Sequence, residues 1–105
     1  RRPYVRAVFY NKRKIFLQLF WEHLMQKHWK ERVVRMKLLP CAIELLQFST
    51  CEPISKQNPN KPSELLHRFL GVTPENVEFV VQVKEDKRTG EKWFMSVFPF
   101  EHTRK

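Results

Sequence analysis

The stretch that most constrains the fold lies near the C-terminal end, where two β-type runs flank a charged turn. Residues 79–84 and 93–99 are rich in Val, Phe and Trp, which suit a pleated, half-buried surface, and the polar segment between them contains Gly90. This pattern predicts an antiparallel hairpin. A register that keeps Lys84 out of the core puts six apolar side chains on one face: Phe79, Val81, Val83, Trp93, Met95 and Val97. The opposite face then presents Gln82, Lys84, Lys92 and Ser96 among Val80, Phe94 and Phe98.

The charge of the chain is unevenly distributed. Its net charge of +9 comes from 20 Lys and Arg against 11 Asp and Glu. The whole of this excess lies within residues 1–40, which contain only two acids, Glu22 and Glu31. Such asymmetry favours a polyanionic partner, with nucleic acid first and an acidic membrane or acidic protein second. A basic surface that serves only solubility is the alternative.

The N-terminal part is predicted to be mainly helical. Residues 5–10 suit a short edge strand or an ordered arm. From Ile15 the apolar spacing becomes helical, with one stripe formed by Leu17, Phe20, Trp21, Leu24 and His28. A break is expected near Trp29, and Pro40 is expected to end that helix and to open a short second one over residues 41–48.

The middle of the chain is less regular. Residues 49–63 contain three prolines among polar residues and are predicted to be a long loop without regular structure. Residues 63–71 fit either a helix between a Ser63 cap and a Gly71 stop or a strand, and a strand is preferred because two hairpin strands alone make a marginal sheet. Residues 73–76 should form a turn. The prediction is one α+β domain over 1–105: basic and helical to 48, loop 49–63, sheet 64–99 and tail 100–105.

Two groups of residues suggest chemistry on RNA. A basic helical segment offers cations for phosphates and one ring for stacking: Lys27, Trp29, Lys30, Arg32, Arg35 and Lys37. Metal-independent RNA cleavage needs an acid–base group and cations that stabilise the phosphorane, which suit histidine and Arg or Lys. The predicted catalytic set is His67, Arg68, Lys84 and Ser96. As adjacent residues, His67 and Arg68 alternate faces, so Arg68 would need a bulge or a strand end to join the same site.

The helical segment 38–46, the hairpin and Ser96 before Val97-Phe98-Pro99 resemble the barnase–EndoU–colicin E5/D–RelE group (BECR fold), most of all its phage and polymorphic-toxin branches. The resemblance covers about residues 15–99. It implies helices packed on a four-stranded sheet whose exposed face is a ribonuclease site. It also implies cleavage by 2′-OH attack to a 2′,3′-cyclic phosphate, with motif support for Ser96.

The leading hypothesis is therefore a toxin-like, metal-independent endoribonuclease acting on RNA such as tRNA or mRNA, with a cognate inhibitor protein as a further partner. A non-catalytic nucleic-acid-binding module is the alternative, and a domain that binds an acidic protein is the third. No cofactor, metal or membrane partner is expected, since the chain has no apolar run of membrane-spanning length and no Cys/His spacing typical of zinc. The two cysteines do not form a disulfide framework and suit a reducing, cytoplasmic setting.

Overall fold

The chain folds into a mixed α+β architecture, as the sequence predicts. The computed structural model describes residues 2–100. It contains six strands, β1 (Tyr4–Ala7), β2 (Arg13–Phe16), β3 (Ile54–Gln57), β4 (Glu64–Val72), β5 (Glu78–Asp86) and β6 (Lys92–Pro99), and two helices, α1 (Gln18–Met25) and α2 (Trp29–Phe48). A 3₁₀ turn, Val8–Tyr10, joins β1 to β2. The predicted tail, apart from Phe100, lies outside the described residues.

The six strands form one sheet in the order β1-β2-β6-β5-β4-β3, which corrects the expected order of elements. Two strands precede the helices. The strand preferred for residues 63–71 is confirmed, since β4 spans Glu64–Val72. Neighbouring strands are antiparallel except β2 and β6, which run parallel where Ile15 faces Lys92. The predicted loop 49–63 contains β3, whose four residues are all exposed. The apolar pattern of these residues does not indicate a strand. β3 is held by backbone pairing with β4 alone, so its side chains need not be buried.

A β-bulge in β6 overturns the predicted register of the hairpin. Gln82 faces Ser96 but Val83 faces Phe94, so Met95 is the extra residue. Phe94 is consequently fully buried, whereas Trp93 and Met95 are only partly buried. The predicted core positions of Phe79, Val81, Val83 and Val97 are confirmed, and those of Trp93 and Met95 are wrong because the bulge shifts the alternation by one residue.

Both helices pack on one face of the sheet, here called the inner face. Phe20 of α1 stacks on Phe94 with ring centroids 4.6 Å apart. The predicted break is confirmed, since α2 begins at Trp29. However, α2 continues through Pro40, which was expected to end it. Pro40 is exposed, and α2 buries Leu38, Ala42 and Leu46 on either side of it, so tertiary packing outweighs the lost hydrogen bond.

The N-terminal hairpin completes the cover of the inner face. Phe9 and Tyr10 lie edge-on to Phe69 of β4, each with ring centroids 6.0 Å away. Because β1 and β4 are far apart in the strand order, this contact means that the sheet curls around its own core. The opposite face, here called the outer face, is left open on most strands. Between residues 2 and 100, no helix is long and apolar enough to cross a membrane.

Candidate nucleic-acid interface

Three of the four predicted catalytic residues share the outer face. Arg68 faces Gln82, and Gln82 faces Ser96, so these side chains form one row across β4, β5 and β6. Lys84 lies on the same face two residues along β5. His67 is buried on the inner face and is separated from the others by the sheet. The predicted convergence of all four residues is therefore wrong, because Arg68 points outward without a bulge and its neighbour must point inward.

Lys84 is engaged by neighbours on the outer face. Its ammonium nitrogen lies 3.4 Å from Glu64 Oε2 and 5.2 Å from the centroid of the Trp93 ring. Burial tends to raise the pKa of Glu64, but a hydrogen bond from Asn58 and the charge of Lys84 outweigh it, so that pKa is lowered overall. Lys84 is thus a partly neutralised cation that covers an aromatic ring.

A groove opens where the N-terminal half of α2 meets the outer face. It has a volume of about 820 Å³ and combines basic and apolar walls: Lys30, Val34, Arg35, Arg68, Leu70, Val80 and Phe98. Glu31 also lines it. Arg35 Nη1 donates to the carbonyl oxygen of Val97 at 2.9 Å, which ties α2 to the part of β6 that β2 does not pair. The groove therefore has a fixed wall and carries cations beside apolar surface.

The predicted RNA-binding residues of the basic helix do not form one surface. Lys30 and Arg35 line the groove, whereas Lys27, Arg32 and Lys37 do not. Trp29 is 58% exposed outside the groove, with the Lys30 ammonium 5.9 Å from its ring centroid. His28 caps the helix by accepting a hydrogen bond from the Lys30 amide at 3.2 Å. The segment begins as a helix at Trp29, so its cations spread around the helix axis.

A cluster of cations and aromatic rings lies on β1 and β2 and was not predicted from the sequence. The Arg2 guanidinium lies 3.8 Å from the Phe16 ring centroid, and Lys14 and Arg6 lie 4.5 Å and 5.4 Å from that of Tyr4. Phe16 faces Tyr4 on one side and Trp93 on the other. This cluster continues the outer face to the far edge of the sheet. If residues 4–6 and 14–16 are strands, their aromatic and basic residues lie on one face. That spacing is the sequence pattern that could have predicted the cluster.

The inner face holds a separate polar network next to the core. Ser55 Oγ lies 2.6 Å from His67 Nδ1, and His67 Nε2 lies 2.7 Å from Glu85 Oε1. Lys92 Nζ lies 3.9 Å from Glu85 Oε2 and 4.5 Å from the centroid of the Tyr10 ring. Burial lowers the pKa of Lys92 although Glu85 opposes this, and burial raises the pKa of Tyr10, so the phenol stays neutral.

Similarity to known proteins adds nothing to this geometry. The chain matches no protein-family model, no curated protein and no solved structure. Among residues 2–100, no group of three or more His, Cys, Asp or Glu side chains is placed to hold a metal ion. The outer face is consequently interpreted from its own charges, rings and groove.

Proposed function

We propose that the outer face of the sheet binds single-stranded RNA. The observation that carries the proposal is the alternation of cations and aromatic rings over one face, from the Tyr4–Phe16 cluster through Trp93 to the groove beside Arg68. Nonspecific binding of a single strand uses these two elements together: a basic path for phosphates and rings on which bases stack. The uneven charge of the chain, +9 overall, supports the same class of partner.

The groove is the best position for phosphates. Lys30 and Arg68 line it from different elements, one from α2 and the other from β4. Each phosphate neutralised on a single strand contributes about 0.7 to the slope of log K against log salt. Lys30 and Arg68 together therefore account for a slope of roughly 1.4. Stacking on Tyr4, Phe16 or Trp93 would add roughly 1–3 kcal/mol per base with little dependence on salt.

The test compares two double variants that remove the same charge. Lys30→Gln with Arg68→Gln removes two of the three groove cations and keeps Arg35, which is bonded to Val97. Lys87→Gln with Arg88→Gln removes two cations from the exposed turn between β5 and β6. Binding of a mixed-sequence RNA oligonucleotide is measured by fluorescence anisotropy over a range of salt. We expect the groove variant to lose roughly 1.4 from the salt slope and the turn variant to lose much less. Equal losses of salt slope in the two variants would show that RNA binding depends only on net charge. That result would reject the groove as the phosphate-binding site.

A second candidate function is metal-independent RNA cleavage on the same face, as in the toxin-like group that the sequence resembles. Glu31 favours it, because this carboxylate lines the groove together with Arg35 and Arg68. A carboxylate placed there would remove the 2′-OH proton, and the guanidinium of Arg68 would stabilise the phosphorane charge. Ser96 is one strand beyond Gln82 in the same row and would contact the phosphate or the ribose.

Cleavage is tested on a mixed RNA pool in EDTA, with product ends analysed for cyclic phosphate. Glu31→Gln and Arg68→Ala should each abolish cleavage while the protein stays folded, whereas His67→Gln should retain it in folded protein. Binding without any cleavage by the wild type would leave the module non-catalytic. If cleavage occurs, we expect a cognate inhibitor protein to cover the groove. The free thiols of Cys41 and Cys51 support a reducing cytoplasmic setting for the protein.

A further inference from the structure

The network on the inner face contains a complete hydrogen-bonded relay that RNA binding does not use. It runs from Ser55 on β3 through His67 on β4 to Glu85 on β5, with heavy-atom distances of 2.6 Å and 2.7 Å. Both distances are within the range that couples a hydroxyl nucleophile to its base and the base to an orienting carboxylate. Three neighbouring strands supply one member each, so the sheet holds the relay rigidly.

The carboxylate decides which nitrogen of His67 is the base. Glu85 accepts from His67 Nε2, which places the proton of the neutral imidazole there and leaves Nδ1 to accept from the Ser55 hydroxyl. Lys92 Nζ lies 3.9 Å from the other oxygen of Glu85 and helps to hold that side chain in place. Tyr10 packs edge-on to the imidazole with ring centroids 5.7 Å apart, and His67 is buried. The protonation pattern is therefore the one that activates a serine.

The reactive end of the relay faces an open edge. His67 is 7% exposed, whereas Ser55 lies on the last strand of the sheet and is exposed. The amide of Asn58 donates to the Glu64 carbonyl at 3.0 Å, and the alternation of an antiparallel ladder then makes Ser55 and His67 a non-hydrogen-bonded pair. The backbone N–H of Ser55 consequently points away from β4, where a developing oxyanion can accept its hydrogen bond.

We propose that Ser55 is a nucleophile for acyl esters, with His67 as its general base and Glu85 as the residue that positions His67. Ser55 Oγ forms a bond to the acyl carbon while its proton moves to His67 Nδ1. The bond to the leaving alkoxide breaks, and that oxygen takes the proton from His67. Water then attacks the acyl-serine with His67 again as base, which releases the acid and restores the hydroxyl. The site lies on the opposite side of the sheet from the proposed RNA surface.

The experiment uses a fluorophosphonate probe and intact-mass detection on the folded protein. Labelling joins Ser55 Oγ to phosphorus, breaks the phosphorus–fluorine bond and releases HF. We expect one label, mapped to Ser55, and its loss in Ser55→Ala, which alters an exposed side chain. Glu85→Gln should slow labelling by at least about 10-fold, and His67→Gln by about 100-fold or more, as expected for removal of a general base.

Two controls keep the proposal open to refutation. Ser63→Ala removes a serine from the turn before β4, outside the relay, and should label at the wild-type rate. Wild-type protein unfolded in urea has no relay and should not be labelled above background. This sample shows whether labelling needs the folded relay if His67→Gln fails to fold. Absence of labelling in the folded wild type, or equal labelling of Ser55→Ala, overturns the proposal and leaves the relay as a structural network.

Discussion

Replacing Phe94 with alanine tests the bulge in β6 directly. Phe94 has no exposed surface and stacks on Phe20 at 4.6 Å with an interplanar angle of 10°. Truncating a buried Phe to Ala destabilises a protein by about 3–5 kcal/mol, and a lost aromatic pair contributes about 0.5–1.5 kcal/mol within such measurements. We therefore expect a loss of about 4–5 kcal/mol. Trp93→Ala, on the outer face, should lose less than about 2 kcal/mol.

Urea unfolding monitored by circular dichroism measures both variants. The free energy of unfolding should fall by about 2 kcal/mol per molar urea. Phe94→Ala then lowers the urea midpoint of unfolding by roughly 2 M, and Trp93→Ala lowers it by less than roughly 1 M. Phe94→Leu keeps most of the volume and replaces Phe94→Ala if the latter does not fold. The opposite ranking, with Trp93→Ala the more destabilised variant, would mean that β6 has no bulge and that Trp93 faces the core.

Three further predictions concern backbone and charge. Gly71→Ala should destabilise by about 1–3 kcal/mol in a urea titration, because an added Cβ would lie 2.6 Å from Phe79 Cζ. Pro40→Ala should raise the midpoint by the equivalent of about 1–3 kcal/mol, since it restores a hydrogen-bond donor inside α2, and an unchanged midpoint would show that the helix has already adapted to proline. The pKa of Glu64 is lower in the folded state than in the unfolded state. The stabilisation of the fold by its carboxylate is therefore present above the unfolded pKa and is lost as pH falls through the folded pKa. Glu64→Gln should therefore flatten the acid limb of a stability–pH profile, and an identical limb would contradict the ion pair with Lys84.

The sequence predicted those features that a local pattern specifies. Residues 63–71 fitted a helix or a strand locally, and the need for a third strand beside the hairpin favoured the strand. Once they form a strand, His67 and Arg68 must face opposite sides. It did not reveal the bulge, because Trp93 and Phe94 are both aromatic and either one suits a core. Pro40 was misread because burial on both sides of it, rather than local propensity, keeps α2 intact. The Ser55–His67–Glu85 relay joins three strands, of which β3 has one apolar residue, Ile54, and no apolar alternation.

The position of β6 within the sheet has a consequence for synthesis on the ribosome. The last strand to be made lies between β2 and β5, and Ile15 pairs with Lys92 across most of the chain length. The N-terminal strands and helices emerge first, but the β1–β2 pair is not joined to the β3–β5 strands until β6 is released. Folding of residues 2–100 is then expected to wait for β6 and to be slow for their number, because long loops must close before their contacts stabilise the product. A nascent chain halted before β6 should remain sensitive to protease along its whole basic half.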